Sequence, residues 1–215
     1  MEFRFPGWEE SRVEAGLPEG WERLKAEEIF DIKIGKTPPR NESEWFEDGK
    51  SEIKWVSIRD MNNSSSFILE TSESITAQGV EKFNMNIAPK GTVILSFKLT
   101  IGSVAMVDED MTTNEAIAHF KISDKEVMNN FSTYCYLKDF NYDILGSTSS
   151  IGRALNSKIV KSMPFLLPNK RVIQLFGEVA ADFFAQSKNL ILQNQKLKEA
   201  RDILLPRLMD QTIKI

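Results

Sequence analysis

Residues 170–207, KRVIQLFGEVAADFFAQSKNLILQNQKLKEARDILLPR, decide the fold. In a helical register this stretch has a seam with alternating three- and four-residue steps that runs for almost five heptads. Phe184 and Ile191 widen the apolar stripe, and Gly177 is the one glycine within the stretch. The pattern predicts a long amphipathic helix that pairs along its seam. The seam residues are Ile173, Phe176, Ala180, Phe183, Ser187, Leu190, Asn194, Leu197, Arg201 and Leu204.

Ser187 and Asn194 stand at seam positions where leucine or isoleucine would pack better. A buried polar residue at such a position usually fixes the register and the number of helices, at some cost in stability. The alternative is that the helix packs on its own domain, since apolar residues beyond a strict seam are also typical of a globular docking face. At 1.5 Å per residue the helix would be roughly 50 Å long.

The chain of 215 residues is long enough for one sizeable core and an appendage. No apolar run approaches the ~20 residues that cross a bilayer, and the N-terminus lacks a signal-peptide profile, so we expect no contact with a membrane. The single cysteine, Cys135, excludes an internal disulfide framework. These features predict a protein of the reducing cytoplasm.

Runs of alternating and β-branched residues predict short strands, and capping signals predict small helices. The predicted strands are 30–34, 53–58, 92–97, 102–107, 116–122 and 163–167, with 92–97 and 102–107 forming a hairpin. The predicted short helices are 25–30, 75–83, 126–140 and 158–161, the last capped by Ser157, and 59–66 is predicted to be a polar loop. The fold class is therefore α+β. We expect a globular domain of short strands and small helices, residues 1–168 with an N-terminal arm, and one long C-terminal coiled-coil helix within 169–215.

The net charge of −4 argues against a protein that binds nucleic acid by bulk electrostatics. The charge is unevenly distributed, however. Residues 145–171 contain five basic residues and no acidic one, which allows a local basic face on an acidic body. These basic residues are Arg153, Lys158, Lys161, Lys170 and Arg171.

The sequence carries no recognisable catalytic motif. The one histidine, His119, lies in a predicted apolar strand, where a structural imidazole is the expected role. One histidine and one cysteine provide no metal cluster, and the glycines of 146–152 are spaced wrongly for a phosphate-binding loop. We therefore predict that the chain is not an enzyme and holds no cofactor or metal.

Polar side chains instead collect in loops at the predicted strand ends. Hydroxyls, amides and cations of this kind bond to phosphate oxygens and base edges, although each one singly could equally be a solvated turn residue. The residues are Lys36, Thr37, Arg40, Ser57, Arg59, Asn62, Lys98, Thr100, Thr112, Thr113, Asn114, Ser147–Ser150 and Arg153.

Six short motifs occur in a fixed order along the chain: Leu17-Pro-x-Gly20-Trp21, Gly35-Lys36-Thr37-Pro38, Trp55-Val56-Ser57-Ile58-x-Asp60-Met61, Pro89-x-Gly91-Thr92-Val93-Ile94, Thr113-Asn114-Glu115-Ala116 and Arg201-Asp202-x-Leu204-Leu205-Pro206-Arg207-Leu208. In this order and at these spacings they resemble the specificity subunits of type I DNA restriction-modification systems. The resemblance implies a target recognition domain over residues ~17–168 and a spacer helix from Asn169 to about Leu208.

Members of that family usually carry two recognition domains and two antiparallel helices, and each domain reads half of a bipartite target in double-stranded DNA. This chain has one of each, so the resemblance implies a homodimer through antiparallel C-terminal helices or pairing with a different half. It also implies partners: modification subunits, which methylate adenine, and a restriction subunit. By the same resemblance, the modification subunit docks on the spacer helix, around Trp21 and along Arg201–Leu208.

We expect the following residues to contact DNA: Lys36, Thr37, Arg59, Lys98, Asn114, Ser149, Arg153 and Lys158, with Arg153 and Lys158 on phosphate. Two other interpretations stay open. The chain could be a coiled-coil scaffold that does not bind DNA. It could also be a nuclease in which Asp60, Asp108, Glu109 and Asp110 hold a divalent ion.

Overall fold

The computed structural model describes residues 17–47, 53–98, 100–123, 127–146 and 155–210. Within these ranges the strands are β1 (Glu22–Lys25), β2 (Phe30–Ile34), β3 (Phe46–Glu47), β4 (Ile53–Val56), β5 (Phe67–Ile68), β6 (Glu73–Ile75), β7 (Val93–Ser96), β8 (Val104–Val107), β9 (Thr112–Thr113), β10 (Ile117–Ile122) and β11 (Pro164–Leu167). The helices are α1 (Ala26–Ile29), α2 (Ile58–Asn63), α3 (Ala77–Lys82), α4 (Asn130–Asp139), α5 (Ser157–Ser162) and α6 (Lys170–Met209). Short 3₁₀ turns cover Ser43–Trp45 and Tyr142–Leu145.

The central sheet has the strand order β2-β10-β7-β8-β5, antiparallel except for the parallel pair of β5 and β8. Every residue of β7 and β8 is buried, so both faces of the sheet are covered. Alternate residues enter two different cores because side chains alternate across a strand. Val93 and Leu95 pack with residues of α1, α4, α5 and α6, whereas Ile94 packs with residues of β4, α2 and β5.

A second sheet, ordered β3-β6-β4-β9, lies beside the first. Its β4 and β9 run parallel, with Val56 opposite Thr113. Trp55 on β4 is buried against Ile75 and Met85 in a small third core. The remaining pair, β1 and β11, is antiparallel and brings the chain to the start of α6.

The predicted α+β class with a long C-terminal helix is confirmed, and so is the hairpin of β7 and β8. The prediction of a polar loop over 59–66 is wrong, because α2 begins directly after Ser57. Ser57 Oγ accepts a hydrogen bond from Asp60 N (3.2 Å), and the Asp60 carboxylate accepts one from Ser57 N (2.9 Å). This reciprocal capping box stabilises the first turn. The predicted cap at Ser157 is also wrong, since Asn156 Oδ1 accepts from Ile159 N instead (2.9 Å).

Helix α6 has 40 residues and is capped by Asn169, whose Oδ1 accepts from Val172 N (3.0 Å). Its first half packs on its own domain. Asn129, the cap of α4, donates from Nδ2 to the carbonyl of Ile173 (3.0 Å), and Gly177 makes room, since a Cβ there would lie 2.9 Å from that Nδ2. Phe184 stacks on Phe131 with ring centroids 4.8 Å apart.

The docked half ends at two polar contacts. Ser187 and Ser66 are joined by a hydrogen bond between their hydroxyls (3.1 Å), and Lys188 forms an ion pair with Asp108. Ser187 therefore bonds to its own domain, although the heptad pattern predicted that it faces a second helix. Ile173 and Ala180, also expected to contact a second helix, are likewise buried within their own chain at 4% and 5% exposure.

The second half of α6 leaves the domain. From Leu192 to Asp210 every residue except Gln195 is exposed. The apolar seam of α6 thus has two parts: the first packs on the domain of the same chain, and the second is exposed beyond that domain. No described helix is long and apolar enough to cross a membrane.

Candidate nucleic-acid interface

Strand polarity brings the polar loops of the sequence to one edge of the domain. In the central sheet, β2 and β7 end where their antiparallel neighbours β10 and β8 begin. In the second sheet, the parallel strands β4 and β9 end side by side at Val56 and Thr113. The segment after β9 leads directly into β10, so these strand ends lie at the same edge as the ends of β2 and β7. We call residues 35–40, 57–64, 97–98, 100–103 and 113–116 the loop edge.

Backbone hydrogen bonds hold these loops against each other. The amide of Gly35 lies so close to the segment after β9 that a Cβ at this position would be 2.2 Å from the carbonyl oxygen of Asn114. Only glycine permits this approach. Four bonds make the connections: Gly35 N to Ile117 O (3.0 Å), Lys36 N to Thr113 O (2.9 Å), Asn114 N to Val56 O (3.0 Å) and Phe97 N to Ala116 O (3.0 Å).

Three of the residues expected to contact DNA use their side chains to build the edge. Lys36 Nζ donates to the carbonyls of Phe83 (3.2 Å) and Asn84 (2.7 Å), just after the last residue of α3. The Thr37 hydroxyl donates to the Glu115 carboxylate. Asn114 Oδ1 accepts from Ala116 N (2.8 Å), which leaves the two N–H donors of its amide.

Arg40 is also occupied. Its guanidinium binds both carboxylate oxygens of Glu73 (2.6 and 3.1 Å) and lies over the rings of Phe46 and Trp55, 4.3 and 4.8 Å from their centroids. Such a stacked and paired arginine is held rigidly. Arg40 therefore joins the loop edge to the second sheet.

Arg59 and Lys98 have a different environment. Arg59 is exposed on α2 and makes no hydrogen bond or ion pair with the described residues. Lys98 is half-buried, with Nζ 5.5 Å from the ring centroid of Phe97, and no described carboxylate pairs with it. Cations without an internal partner are the ones that remain available for phosphates or bases.

Helix α2 holds Arg59 on a rigid support. Met61 is buried beneath it, and the carbonyl of Met61 accepts from the hydroxyl of Ser103 in the β7–β8 turn (3.3 Å). The outward face carries Arg59, Asn62 and Asn63, all exposed. Positions three and four residues apart share one face of a helix. The predicted polar loop over 59–66 does not single out Asn63, whereas the Ser57-x-x-Asp60 capping box in the sequence indicates the helix that exposes it.

The remaining three predicted contact residues are Ser149, Arg153 and Lys158. Ser149 and Arg153 lie outside the described residues, although Leu155, which follows that segment, donates its amide to Phe97 O (3.0 Å) at the loop edge. Lys158 is exposed on α5. That helix packs against α1, which precedes β2 and so lies at the other end of that strand.

His119 is structural, although only one of its nitrogens is satisfied. Its Nε2 lies 2.7 Å from Thr113 Oγ1, whereas its buried Nδ1 has no hydrogen-bond partner among the described residues. Burial disfavours the charged imidazolium and lowers the pKa of His119 to about 4. The ring is therefore neutral at physiological pH and supports Thr113 from within the core.

The four acids considered for a divalent ion are each engaged elsewhere. Asp60 caps α2, Asp108 pairs with Lys188, Glu109 pairs with Lys54 (2.7 Å) and Asp110 accepts from Lys90 N (2.8 Å). In the described part of the chain, no group of three or more His, Cys, Asp or Glu side chains could hold a metal ion.

Comparison with known proteins shows which class of protein this domain belongs to. Residues 18–201 match the family model of the type I restriction modification DNA specificity domain, and the chain belongs to that family. The family model describes a DNA specificity domain, which agrees with the prediction that the chain is not an enzyme.

Among its relatives is the HindI specificity subunit of Haemophilus influenzae, 28% identical over 205 residues, which cover 92% of this chain and 42% of the relative. Another is the MjaIX specificity subunit of Methanocaldococcus jannaschii, 24% identical over 188 residues, with coverages of 85% and 42%. The chain thus spans less than half the length of these curated relatives.

Two solved structures share the fold. The HsdS subunit of Thermoanaerobacter tengcongensis superimposes with a TM-score of 0.57 and 18% identity, over 96% of this chain and 47% of that one. The S subunit of a type I restriction-modification system from M. genitalium gives a TM-score of 0.63 and 13% identity, over 89% and 46%.

Proposed function

We propose that this chain reads one half of a bipartite double-stranded DNA target through its loop edge and helps to position modification and restriction subunits there. The observation that carries the proposal is the convergence of loops from both sheets at one edge, where neither Arg59 nor Lys98 pairs with a carboxylate of the described residues. Polar loops on a scaffold of this kind are typical recognition elements.

Within this edge we assign different tasks to different residues. Lys98 at a hairpin turn supplies a phosphate contact, which positions the domain without reading sequence. Arg59, Asn62 and Asn63 supply base contacts, because α2 is capped at its first turn and bonded to the β7–β8 turn through the carbonyl of Met61. Their chemistry matches guanine for arginine and adenine for asparagine. Lys36, Thr37 and Asn114 shape the edge, with the amide donors of Asn114 still able to reach DNA. Ser149 and Arg153 remain predicted contacts to DNA, Arg153 to phosphate. The prediction of a phosphate contact for Lys158 was made from the sequence, but α5 lies at the end of the domain away from the loop edge, so Lys158 takes no part in the contact proposed here.

The exposed half of α6 supports the proposal that two halves pair. Eleven of the fifteen large apolar side chains exposed in the described part of the chain lie on α6. An amphipathic helix leaves such a stripe in water unless a partner covers it. An antiparallel pair of two α6 helices would cover it and hold two loop edges at a fixed separation. The seam residues Phe176, Phe183, Leu190, Asn194, Leu197 and Leu204 would lie at that contact.

We include the modification and restriction subunits as partners because the chain belongs to the specificity-domain family. We place the modification subunit on α6 and near Trp21 and Arg201–Leu208. Arg201 and Asp202 are both exposed there and form an ion pair with each other (2.7 Å).

DNA binding is tested by fluorescence anisotropy on duplexes, with and without modification subunits, over a series of salt concentrations. We expect Lys98→Ala to weaken binding uniformly across sequences and to lower the salt slope by about 1. Arg59→Ala should cost about 1–3 kcal/mol on the cognate duplex and relax the preference at one base pair.

The chain offers a matched control. Lys121 is exposed near the far end of β10, whereas the near end of that strand begins at the loop edge. Lys121→Ala should bind DNA as the unmodified protein does. Equal losses for Lys121→Ala and Lys98→Ala would contradict the placement of the interface. If the chain shows no salt-dependent affinity for DNA either with or without modification subunits, the alternative of a coiled-coil scaffold that does not bind DNA would be favoured.

A further inference from the structure

The turn between β8 and β9 begins with three acids, and each of them binds a different element. We call residues 108–110 the acidic turn. The Asp108 carboxylate pairs with Lys188 on α6. Glu109 pairs with Lys54 on β4 of the second sheet (2.7 Å). Asp110 Oδ1 accepts a hydrogen bond from a backbone amide just before β7 of the central sheet (2.8 Å). The acidic turn therefore joins α6 to both sheets.

Backbone hydrogen bonds fix the acidic turn relative to the central sheet. The amide of Asp108 donates to the carbonyl of Ile68 on β5 (3.2 Å). Met111, directly after the turn, is fully buried and exchanges two backbone hydrogen bonds with Ala88 (2.7 and 3.0 Å). From Met111 the chain enters β9, which ends at the loop edge. A change in how the acidic turn holds α6 is therefore a change in the direction of α6 relative to the loop edge.

The acidic turn meets α6 where the docked half of that helix ends. Near its start the helix is held by the hydrogen bond from Asn129 to the carbonyl of Ile173 (3.0 Å). About 22 Å further along, at 1.5 Å per residue, Lys188 pairs with Asp108, and both side chains are 29% exposed. The apolar packing between these points is non-directional. The polar contacts at the end of the docked half therefore fix the angle at which α6 leaves the domain.

The length of the exposed half makes this angle consequential. From Lys188 to Met209 the helix extends a further ~32 Å at 1.5 Å per residue. A tilt of about 6° at Lys188 moves its far end by about 3.4 Å, which is the length of one base-pair step along DNA. In the proposed antiparallel pair, the second domain lies toward that end. A small change of angle is therefore equivalent to adding or removing one base pair between the two half-sites.

We propose that the acidic turn sets the number of base pairs that the protein accepts between its two half-sites, with Asp108 and Lys188 as the positioning pair. The inference rests on the proposed pairing of two reading halves and adds the residues that determine their spacing. Asp108 and Lys188 act through the direction of α6. Glu109 and Asp110 hold the turn on the two sheets, so that the direction of the helix is transmitted to the loop edge.

The angle is measured first, in the full chain without DNA. Spin labels at Lys121→Cys on β10 and Glu199→Cys on α6, both exposed positions, report the distance between the domain and the helix in a Cys135→Ser background. Labelled chain is diluted into unlabelled chain, so that double electron–electron resonance records distances within one copy. We expect Asp108→Asn to broaden the distance distribution by about 2 Å, the displacement that a tilt of about 6° produces at position 199.

Two further variants and a matched control accompany Asp108→Asn. Lys188→Met keeps the length of the side chain and should broaden the distribution in the same way. The charge swap Asp108→Lys with Lys188→Asp should restore the narrow distribution. The control is Asp31→Asn, which removes the same charge from an ion pair within β2, between Asp31 and Lys33 (3.2 Å), and should leave the distribution unchanged.

The spacing preference is measured second, on duplexes that carry two copies of a half-site selected from a random pool. The unmodified chain should prefer one spacer over those one base pair longer or shorter by on the order of tenfold, because a wrong spacing costs half-site contacts. Asp108→Asn should reduce this preference about threefold, since a partly exposed ion pair changes an equilibrium by a few-fold. Its affinity for a duplex with a single half-site should equal that of the unmodified chain. The charge swap should restore the preference, and Asp31→Asn should keep it.

Three results would overturn the inference, and they differ in what else they affect. An unchanged distance distribution in Asp108→Asn and Lys188→Met would remove the positioning pair whatever the DNA measurements show. Equal losses of single half-site affinity and of spacing preference would make Asp108 a stabiliser of the reading domain alone. A broadened distribution in Asp108→Asn, together with an unmodified chain that prefers no spacer, would remove both the inference and the proposed pairing while leaving the contact that directs α6.

Discussion

Two adjacent phenylalanines on α6 should affect different properties when each is replaced by alanine. Phe184 points into its own domain, with ring centroids 4.8 Å from Phe131, 5.3 Å from Tyr134 and 6.2 Å from Phe67. Phe183, the next residue toward the N-terminus, is 50% exposed. We predict that Phe184→Ala destabilises the monomer, whereas Phe183→Ala weakens association.

The magnitudes follow from burial. Replacing a fully buried phenylalanine by alanine costs about 3–5 kcal/mol, so half-buried Phe184 should cost about 2 kcal/mol, or about 4–8 °C in melting temperature for a chain of this size. The exposed half of Phe183 offers roughly 100 Å² for burial in a dimer, worth about 2.5 kcal/mol per copy at ~25 cal/mol per Å². A two-fold dimer loses this contact twice, about 5 kcal/mol in total, so Kd should rise by about three to four orders of magnitude.

The assay is urea unfolding at several protein concentrations, together with sedimentation equilibrium. Phe184→Ala should lower the unfolding midpoint by the same amount at every concentration, including concentrations where the protein is monomeric. Phe183→Ala should leave the monomer midpoint almost unchanged and remove the dependence on concentration. Similar losses for both variants in the monomer would refute the division of α6 into a docked face and a pairing face.

Two further predictions concern the core behind the loop edge. Burial lowers the pKa of His119 to about 4 from an ordinary 6.5, so the unfolded chain binds more protons than the folded chain between these two pH values. The free energy of unfolding should therefore fall by on the order of 3 kcal/mol as pH drops through this range. His119→Gln should flatten this pH dependence in urea titrations, and an unchanged slope would assign the titration to another group. Gly35→Ala should lower the free energy of unfolding by about 1–3 kcal/mol and should also lower DNA affinity, because the new Cβ would lie 2.1 Å from Thr113 Oγ1 and 2.2 Å from Asn114 O. If the variant has the melting temperature and DNA affinity of the original chain, the loops do not need this close contact.

The local elements were largely accessible from sequence patterns because their causes are local. A run rich in β-branched and other apolar residues identified the hairpin of β7 and β8, and the heptad spacing of apolar residues identified α6. Helix α2 was missed because its six residues are too few to show a period. Only the pair Ser57 and Asp60 marked it, and that signal is a capping box and not a hydrophobic pattern.

The candidate contact residues were chosen by chemistry, and the structure divided them by environment. Lys36 and Arg40 were equivalent to Arg59 in the sequence, since all three are cations in polar segments. The fold pairs Lys36 with two carbonyls and Arg40 with Glu73, and it leaves Arg59 without a described partner. Such pairings join residues more than thirty positions apart, so no local pattern reveals them.

The sequence by itself determined that the chain ends in one long amphipathic helix after a strand-rich domain, because helix period and strand alternation are properties of neighbouring residues. Only the tertiary structure decided which part of that helix the domain covers. Gly177 admits Asn129 to the helix backbone, and Phe184 enters a cluster of three aromatic rings, two from α4 and one from β5. The heptad pattern could not separate Ile173 from Leu190, since both are apolar seam residues, and their burial depends on where the rest of the chain lies.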